Sequence, residues 1–523
     1  MLKKELAYKK NKETRRVVSN SLYNVVPAIV TLSLAIFVTP FLLTNLTPNI
    51  YGVWVLIGSI AGPIALLEFG TSEAAAKYIA VSEERGDHTC SNNIISSVML
   101  FNIAISIVGI ILIFCIAYFL PEMGLKIELK DIYSAQISFY ITGIGFAIIR
   151  IIGVYEGVFK AVQDFKTISI VTTLGRILYS LSAVMAILLG HGLIGVVMFQ
   201  TVSYFIILII WIIRSNIFIP QFSFFPSLKK DEFLLIFKYG GWNTLGRVSS
   251  VVMQNIDKIV LGALVGTVTV AYFNTAFLIY VSFFMIAVPF SSSLMPYFSV
   301  LEERGVGSQG LLFERLRYSV WLLSNFVIIL SIPFFVFSYE VLEYWINKEA
   351  ANQMSHVLRF LILANWISSL NIGLGQFILG VNLVKYNAMW GWMRGALSTI
   401  LTIVLIDTYG IAAAGLGVFI SQFSLIWLIY IVWKVKLTKL VNFGNFIKIF
   451  IQPLTVGLIV VVILLYIKSL KLFVVTDVSS LIYLLFSFGI ISVILTAIMN
   501  YTFPSTKELI IKTMMLVKMI IKT

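Results

Sequence analysis

Five polar residues, Asn243, Arg247, Ser250, Gln254 and Asp257, follow one another at steps of four, three, four and three. On a helix that spacing draws them into one line along one face. The stretch that carries them, KYGGWNTLGRVSSVVMQNIDKIVLGALVG from Lys238 to Gly266, is otherwise apolar and long enough to cross a bilayer. Charged side chains facing lipid are costly, so the stripe must face protein or water, and this helix is expected to line a pathway. Arg176 and Arg394 extend the pattern. With Arg247, each lies about nine residues past the expected start of its helix, roughly 13 Å deep and near the middle of a ~30 Å hydrocarbon core. Three guanidiniums at one depth offer bidentate donors suited to a phosphate group. The competing reading is that each arginine pairs with a carboxylate or carbonyl and ties helices together. Few acids are expected at that depth.

Other polar residues suggest less. Asp257 and Lys258 sit towards the outer end of the same span, and Arg359 enters its helix from that side. An outer-gate salt bridge and a coupling-ion role are both open for them, with a proton or sodium ion as the coupling species. Glu68, Glu156, Asp164 and Lys166 fall at expected cytoplasmic helix ends, where solvated charge accounts for them. Asn365, Ser369, Gly373 and Gln376 form a second, uncharged stripe of the kind that packs helices together. Two cysteines, Cys90 and Cys115, and three scattered histidines make neither a disulfide framework nor a metal set. No glycine-rich phosphate loop is placed where it would matter, so no nucleotide or other organic cofactor is expected.

The elements that must position these residues are membrane helices. Only 12% of the 523 residues are charged, against roughly 25% in a soluble domain, and mean hydropathy is +0.97. At about 20 apolar residues per crossing, fourteen spans are expected, beginning near residues 17, 51, 92, 132, 168, 193, 234, 269, 317, 355, 385, 411, 446 and 478. The first is too long for a signal core and is expected to stay as an anchor. Of the 38 Lys and Arg, 28 fall in one alternating set of connecting segments. The other set holds Lys126, Lys130, Lys348, Lys468 and Lys471, while Arg176, Arg247, Lys258, Arg359 and Arg394 lie within spans. This asymmetry puts both termini in the cytoplasm. It also explains the net charge of +14 without a nucleic-acid partner. Every loop is too short for a folded catalytic domain.

The chain repeats itself. YIAVSEERG (Tyr78–Gly86) and YFSVLEERG (Tyr297–Gly305) agree at six of nine positions, 219 residues apart. FKAVQDF from Phe159 aligns with FILGVNL from Phe377, and the same offset of 218 superposes Arg176 on Arg394 and Gly192 on Gly410. The EERG segments themselves read as turns. Six helices per repeat give both halves the same orientation, the parallel-repeat plan of alternating-access transporters. The expected architecture is all-α: a six-helix lobe over 1–230, a second over 231–440, and appended helices thirteen and fourteen with a cytoplasmic tail over 441–523.

Three stretches, IYGVWVLIGS, LLEFGTSEAAAKYIA and DKIVLGALVGTVTVAYFNTA, resemble the Wzx-type oligosaccharide-lipid flippases of the MOP superfamily, related to MATE drug exporters and the lipid II flippase. The resemblance covers about the first 440 residues. The family pattern commonly has an aspartate where this chain has Glu68. The resemblance implies two six-helix lobes in a bacterial inner membrane. It also implies a cavity that moves undecaprenyl-pyrophosphate-linked sugar to the outer leaflet, with a polysaccharide polymerase and chain-length proteins as partners. Mostly basic intramembrane charge suits an anionic headgroup; a MATE-like cation exporter would place acids there. A membrane-embedded polymerase or acyltransferase would need an acid/base or histidine constellation, which the sequence lacks. The expected substrate contacts are Arg176, Arg247, Arg394, Asn243 and Gln254, with Asp257, Lys258 and Arg359 as gate or coupling residues.

Overall fold

A computed structural model describes residues 26–68, 70–227, 229, 248, 251–252, 254–291, 294–305, 309–470, 475–502 and 509. Among these residues every regular element is a helix, and thirteen helical stretches are long and apolar enough to cross a membrane. Each of the thirteen coincides with one expected span. The fourteenth, expected near residue 234, lies mostly outside the described residues and continues as a helix over 254–264, here α8.

In chain order the helices are α1 (Val26–Asn45), α2 (Thr47–Ile64), α3 (Thr71–Glu84), α4 (His88–Phe119), α5 (Leu129–Ala161), α6 (Phe165–Leu188), α7 (Gly192–Phe218) and α8. They continue as α9 (Thr267–Ser291), α10 (Leu294–Glu303), α11 (Gln309–Val336), α12 (Ser338–Trp345), α13 (Lys348–Gly380), α14 (Val384–Tyr409), α15 (Ala412–Ser421), α16 (Leu425–Val432), α17 (Phe443–Ser469) and α18 (Val478–Thr502). Four starts are fixed by short polar caps, whose side chains satisfy N–H groups that the first turn leaves unpaired. Asp87 accepts from Cys90 N at 2.9 Å, Asp164 from Thr167 N at 3.0 Å, Asn347 from Ala350 N at 2.8 Å and Asn442 from Asn445 N at 2.9 Å. Asp164 is thus a helix-end charge, as expected, with a defined task as the cap of α6.

The repeat is written in the backbone. Thr47 and Gly266, Gly86 and Gly305, and Gln163 and Asn382 are pairs 219 residues apart, and Gly192 and Gly410 are 218 apart; every one of these residues has positive φ. Residues other than glycine rarely adopt that conformation. Gln163 and Asn382, both at φ 59°, sit in the matching turns between α5 and α6 and between α13 and α14.

By contacts the chain falls into two compact units, 1–271 and 272–523. This division comes later than the repeat boundary near residue 230 because α8 packs on α2: Leu56 lies against Gly262, and Gly52 against the Thr267 backbone. In the first unit α5 is central, touching α2, α3, α4, α6 and α7; in the second its counterpart α13 touches α10, α11, α12, α14 and α15. Two glycines allow these helices to approach closely. A Cβ on Gly157 would stand 2.7 Å from the Ser72 carbonyl oxygen on α3, and one on Gly373 would stand 2.9 Å from the Ser319–Val320 backbone of α11. The appended helices are integral to the second unit. Asn500 of α18 accepts from Trp321 Nε1 at 2.9 Å and donates to Asn325 Oδ1 at 3.3 Å, all three buried. Lys468 of α17 pairs with Glu340 at 2.6 Å.

The EERG turns behave as turns. Glu83 accepts from Ser91 Oγ at 2.5 Å, anchoring the start of α4, and its repeat counterpart Glu302 pairs with Lys436.

Candidate functional site

Arg150 and Arg176 flank one tight turn. Arg150 lies eleven residues before α5 ends at Ala161, and Arg176 lies eleven residues after α6 begins at Phe165. At ~1.5 Å per residue both stand roughly 16 Å from the turn, about half the depth of a ~30 Å core. Arg150 donates to Glu68 in an ion pair and to the Ala65 carbonyl at 3.1 Å, and it lies over the Phe146 ring at 5.5 Å. The side chains of Arg150 and Glu68 are 11% and 22% exposed.

This pair corrects two expectations. Glu68 is not a solvated helix end: α2 and α3 form one 38-residue traverse, Thr47–Glu84, and Glu68 sits in the short 3₁₀ turn that interrupts it. Pro63 inside α2 and Gly70 at φ 64° mark the interruption. Nor does Arg150 belong with the connecting-segment charges, because α5 runs 33 residues and carries it well inside the helix.

Glu156, one turn and a half beyond Arg150 on α5, is within electrostatic reach of Lys160, Arg176, Glu68 and Arg150. It too belongs to an intramembrane cluster rather than to a solvated end. Arg176 also acts on Tyr179 and Tyr204, whose rings stack at 5.2 Å. Acids therefore do lie at the depth of the arginines, contrary to expectation. They act unequally: Glu68 engages Arg150 directly, whereas the exposed Arg176 makes no ion pair or hydrogen bond among the described residues.

The other expected site residues are dispersed. Arg247 and Asn243, with Ser250, lie outside the described residues. On α8, Gln254 is exposed while Asp257 and Lys258 are 5% and 9% exposed, so the lower end of the stripe does not share one environment. In the second unit Arg394 stacks on Trp390 at 5.0 Å and, like Arg176, makes no hydrogen bond or ion pair among the described residues. Arg359 donates from Nε to Ser338 Oγ at 2.7 Å. The uncharged stripe of α13 is packing where it was expected to be. Asn365 donates to the Tyr280 carbonyl at 3.2 Å, Ser369 bonds within its own helix, and Gly373 meets α11. Gln376 differs, because it also borders a cavity in the second unit together with Ser291, Ser368, Asn371 and Asn387. That cavity and the Glu68–Arg150 pair are absent from the expected site. The repeat was the available signal: at offsets of 218 and 219 Arg150 falls on Ser368 and Ser369, neutral residues where the first repeat has a charge.

Residues 17–302 match the family described as polysaccharide biosynthesis protein, a stretch of more than half the chain. The chain belongs to that family. All three stretches that suggested a flippase resemblance lie inside the match. A Shigella flexneri relative of this polysaccharide biosynthesis protein, assigned as an O-antigen transporter, is 21% identical over 369 residues, which cover 68% of this chain and 82% of the relative. Among solved structures, the lipid II flippase MurJ in an inward closed conformation superposes with a TM-score of 0.69 at 14% identity, covering 92% of this chain and 99% of that one. An inward-facing multidrug resistance MATE transporter of the MOP superfamily gives 0.63 at 15% identity, covering 79% and 93%. At such identities the likeness is one of fold. The fold is that of MOP-superfamily transporters, and the protein crosses the membrane many times.

Proposed function

We propose that this protein is a flippase that moves an undecaprenyl-pyrophosphate-linked oligosaccharide from the inner to the outer leaflet of a bacterial inner membrane by alternating access. The observation that carries the reading is the pair Arg176 and Arg394. They occupy equivalent repeat positions, eleven and ten residues into α6 and α14, and neither guanidinium makes an ion pair or hydrogen bond among the described residues. A cation left unpaired within a membrane helix needs water or an anionic ligand. A pyrophosphate supplies oxygens that match the guanidinium fork. Arg247 is the third arginine of this set. Family membership and the O-antigen assignment of the relative support a glycan-bearing cargo, and the fold shared with a lipid flippase supports lipid-linked passage.

On this reading the protein is a transporter and not an enzyme. Both termini are cytoplasmic, Asp257 is the candidate for proton or sodium coupling, and the polymerase and chain-length proteins of the same pathway are its functional partners. An ion-coupled exporter of organic cations is the second reading, favoured by the carboxylates of Glu68 and Glu156. Arg150 already occupies Glu68, which leaves that reading one acid fewer.

The test is surface glycan in cells that carry Arg176→Ala or Arg394→Ala. Both variants should lose it while protein levels stay normal, and full glycan export in both would overturn the proposal. Reporter fusions after His191 and after Thr523 test orientation separately: a phosphatase-active C-terminus would reverse it.

A further inference from the structure

The second unit holds a cavity of about 250 Å³ between α9, α13 and α14, and among the described residues no charged side chain lines it. Its polar wall is Ser368, Asn371 and Gln376 of α13, Asn387 of α14 and Ser291 of α9, with Phe284 among the apolar residues opposite. Gln376 Nε2 donates to Ser291 Oγ at 3.2 Å. Three of the remaining polar atoms, Ser368 Oγ, Asn371 Oδ1 and Asn387 Oδ1, are buried and have no hydrogen-bond partner among the described residues. Ser368 is 3% exposed. Buried polar atoms are mostly paired, and three of those left unpaired among the described residues gather at this one cavity.

The chemistry of the orphans selects the occupant. The Ser368 hydroxyl donates and accepts, and Asn371 and Asn387 each offer an Oδ1 acceptor and an Nδ2 donor. A charged ligand would find no opposite charge among the described lining residues. A ring bearing several hydroxyls, each both donor and acceptor, matches such a wall. The volume is below the roughly 300–1,000 Å³ of a typical small-molecule site, so the cavity admits part of a larger ligand. The repeat sharpens the contrast: at the level where the first unit has Arg150, paired with Glu68, the second has the neutral Ser368 and Ser369. One repeat has charge at this level and the other has neutral polarity.

We infer that this cavity is a sugar subsite, taking one uncharged, polyhydroxylated ring of the translocated glycan through Ser368, Asn371 and Asn387. The inference rests on the flippase reading above. The test uses the full chain in lipid nanodiscs and compares binding of undecaprenyl pyrophosphate alone with the same lipid bearing a single glucose, galactose or N-acetylglucosamine. At least one sugar-bearing lipid should bind ten times tighter than the bare lipid. Asn371→Leu and Asn387→Leu should each cut that preference about fivefold, the worth of one hydrogen bond, with binding of the bare lipid unchanged. Ser368→Ala removes one oxygen with little change of shape and should cut it about threefold, which keeps the test usable if a leucine variant fails to fold. If the bare lipid binds and no sugar-bearing lipid binds tighter, or if the preference survives in the variants, the subsite is overturned while the flippase reading stands. If no lipid binds at all, both fall.

Discussion

Replacing Glu68 with alanine removes the carboxylate partner of a guanidinium that is only 11% exposed. Arg150 then keeps the Ala65 carbonyl at 3.1 Å and the face of Phe146, neither of which neutralises its charge. Breaking a buried ion pair by removing one partner costs roughly 3–5 kcal/mol. Glu68 is 22% exposed, so some water can follow into its place, and the expected loss is at the lower end, about 3 kcal/mol. Arg150→Leu leaves the carboxylate instead of the guanidinium and should cost a similar amount, less the part of Glu68 that water reaches. The double variant Glu68→Leu/Arg150→Leu buries no charge and should recover most of the loss, because apolar replacement of a buried pair is often neutral or stabilising. The assay is the apparent melting midpoint of purified protein at one fixed scan rate, since membrane proteins of this size unfold irreversibly. At about 2 °C per kcal/mol, each single variant should fall roughly 5–6 °C and the double variant less than 2 °C. A double variant that falls by the sum of the singles would show that the two residues act independently, and the pairing argument would fail.

Three further outcomes follow from the same geometry. Asn49 donates to Asp131 Oδ2 at 2.7 Å and accepts from Thr267 Oγ1, a contact that joins the first repeat to the second; a disulfide between cysteines at 49 and 267 should therefore block glycan export, and reductant should restore it. Asn500→Leu strands Trp321 Nε1 in a buried site at a cost of roughly 1–3 kcal/mol, so the melting midpoint should drop and α18 should become protease-sensitive before the rest of the second unit. Asp257→Asn should leave export unchanged once the ion gradient is collapsed if that residue couples transport, and a persisting difference between variant and parent would assign it a structural task instead.

The helices were legible because hydropathy over 20-residue stretches is a strong signal, and the thirteen described spans fall where that signal places them. The duplication was legible from a handful of residues at one offset, and the backbone repeats it at Gln163 and Asn382 without any identity between them. The Glu68–Arg150 pair was hidden by the same fixed stretch that found the helices. Cutting α5 at 20 residues leaves Arg150 at its edge, whereas the helix runs 33, and cutting the first traverse there leaves Glu68 at an end that is really its middle. Spacing could not have joined them, since they lie 82 residues apart on different helices. The cavity in the second unit was hidden for another reason. Ser368, Asn371, Gln376 and Asn387 look like ordinary packing residues, and Asn365, Ser369 and Gly373 on the same helix are packing residues. What separates the two groups is which of them border the cavity, a property of three dimensions.

A carrier for a pyrophosphate must release it as well as hold it, and this constrains how many guanidiniums can face the cargo. Each charge-assisted hydrogen bond to an ion is worth roughly 1.5–3 kcal/mol, so every further free arginine would slow release of the headgroup. The first unit carries Arg150 and Arg176 at one level, yet Glu68 takes Arg150 out of play and Glu156 tempers Arg176. The second unit carries Arg394 on Trp390, with the neutral Ser368 and Ser369 at the level where the first has Arg150. Arg176 and Arg394 are thus left as the matched guanidiniums of the two repeats that make no ion pair or hydrogen bond among the described residues. On the proposed reading, the neutral polar recess of the second unit takes a sugar ring of the glycan while the arginines engage its phosphates.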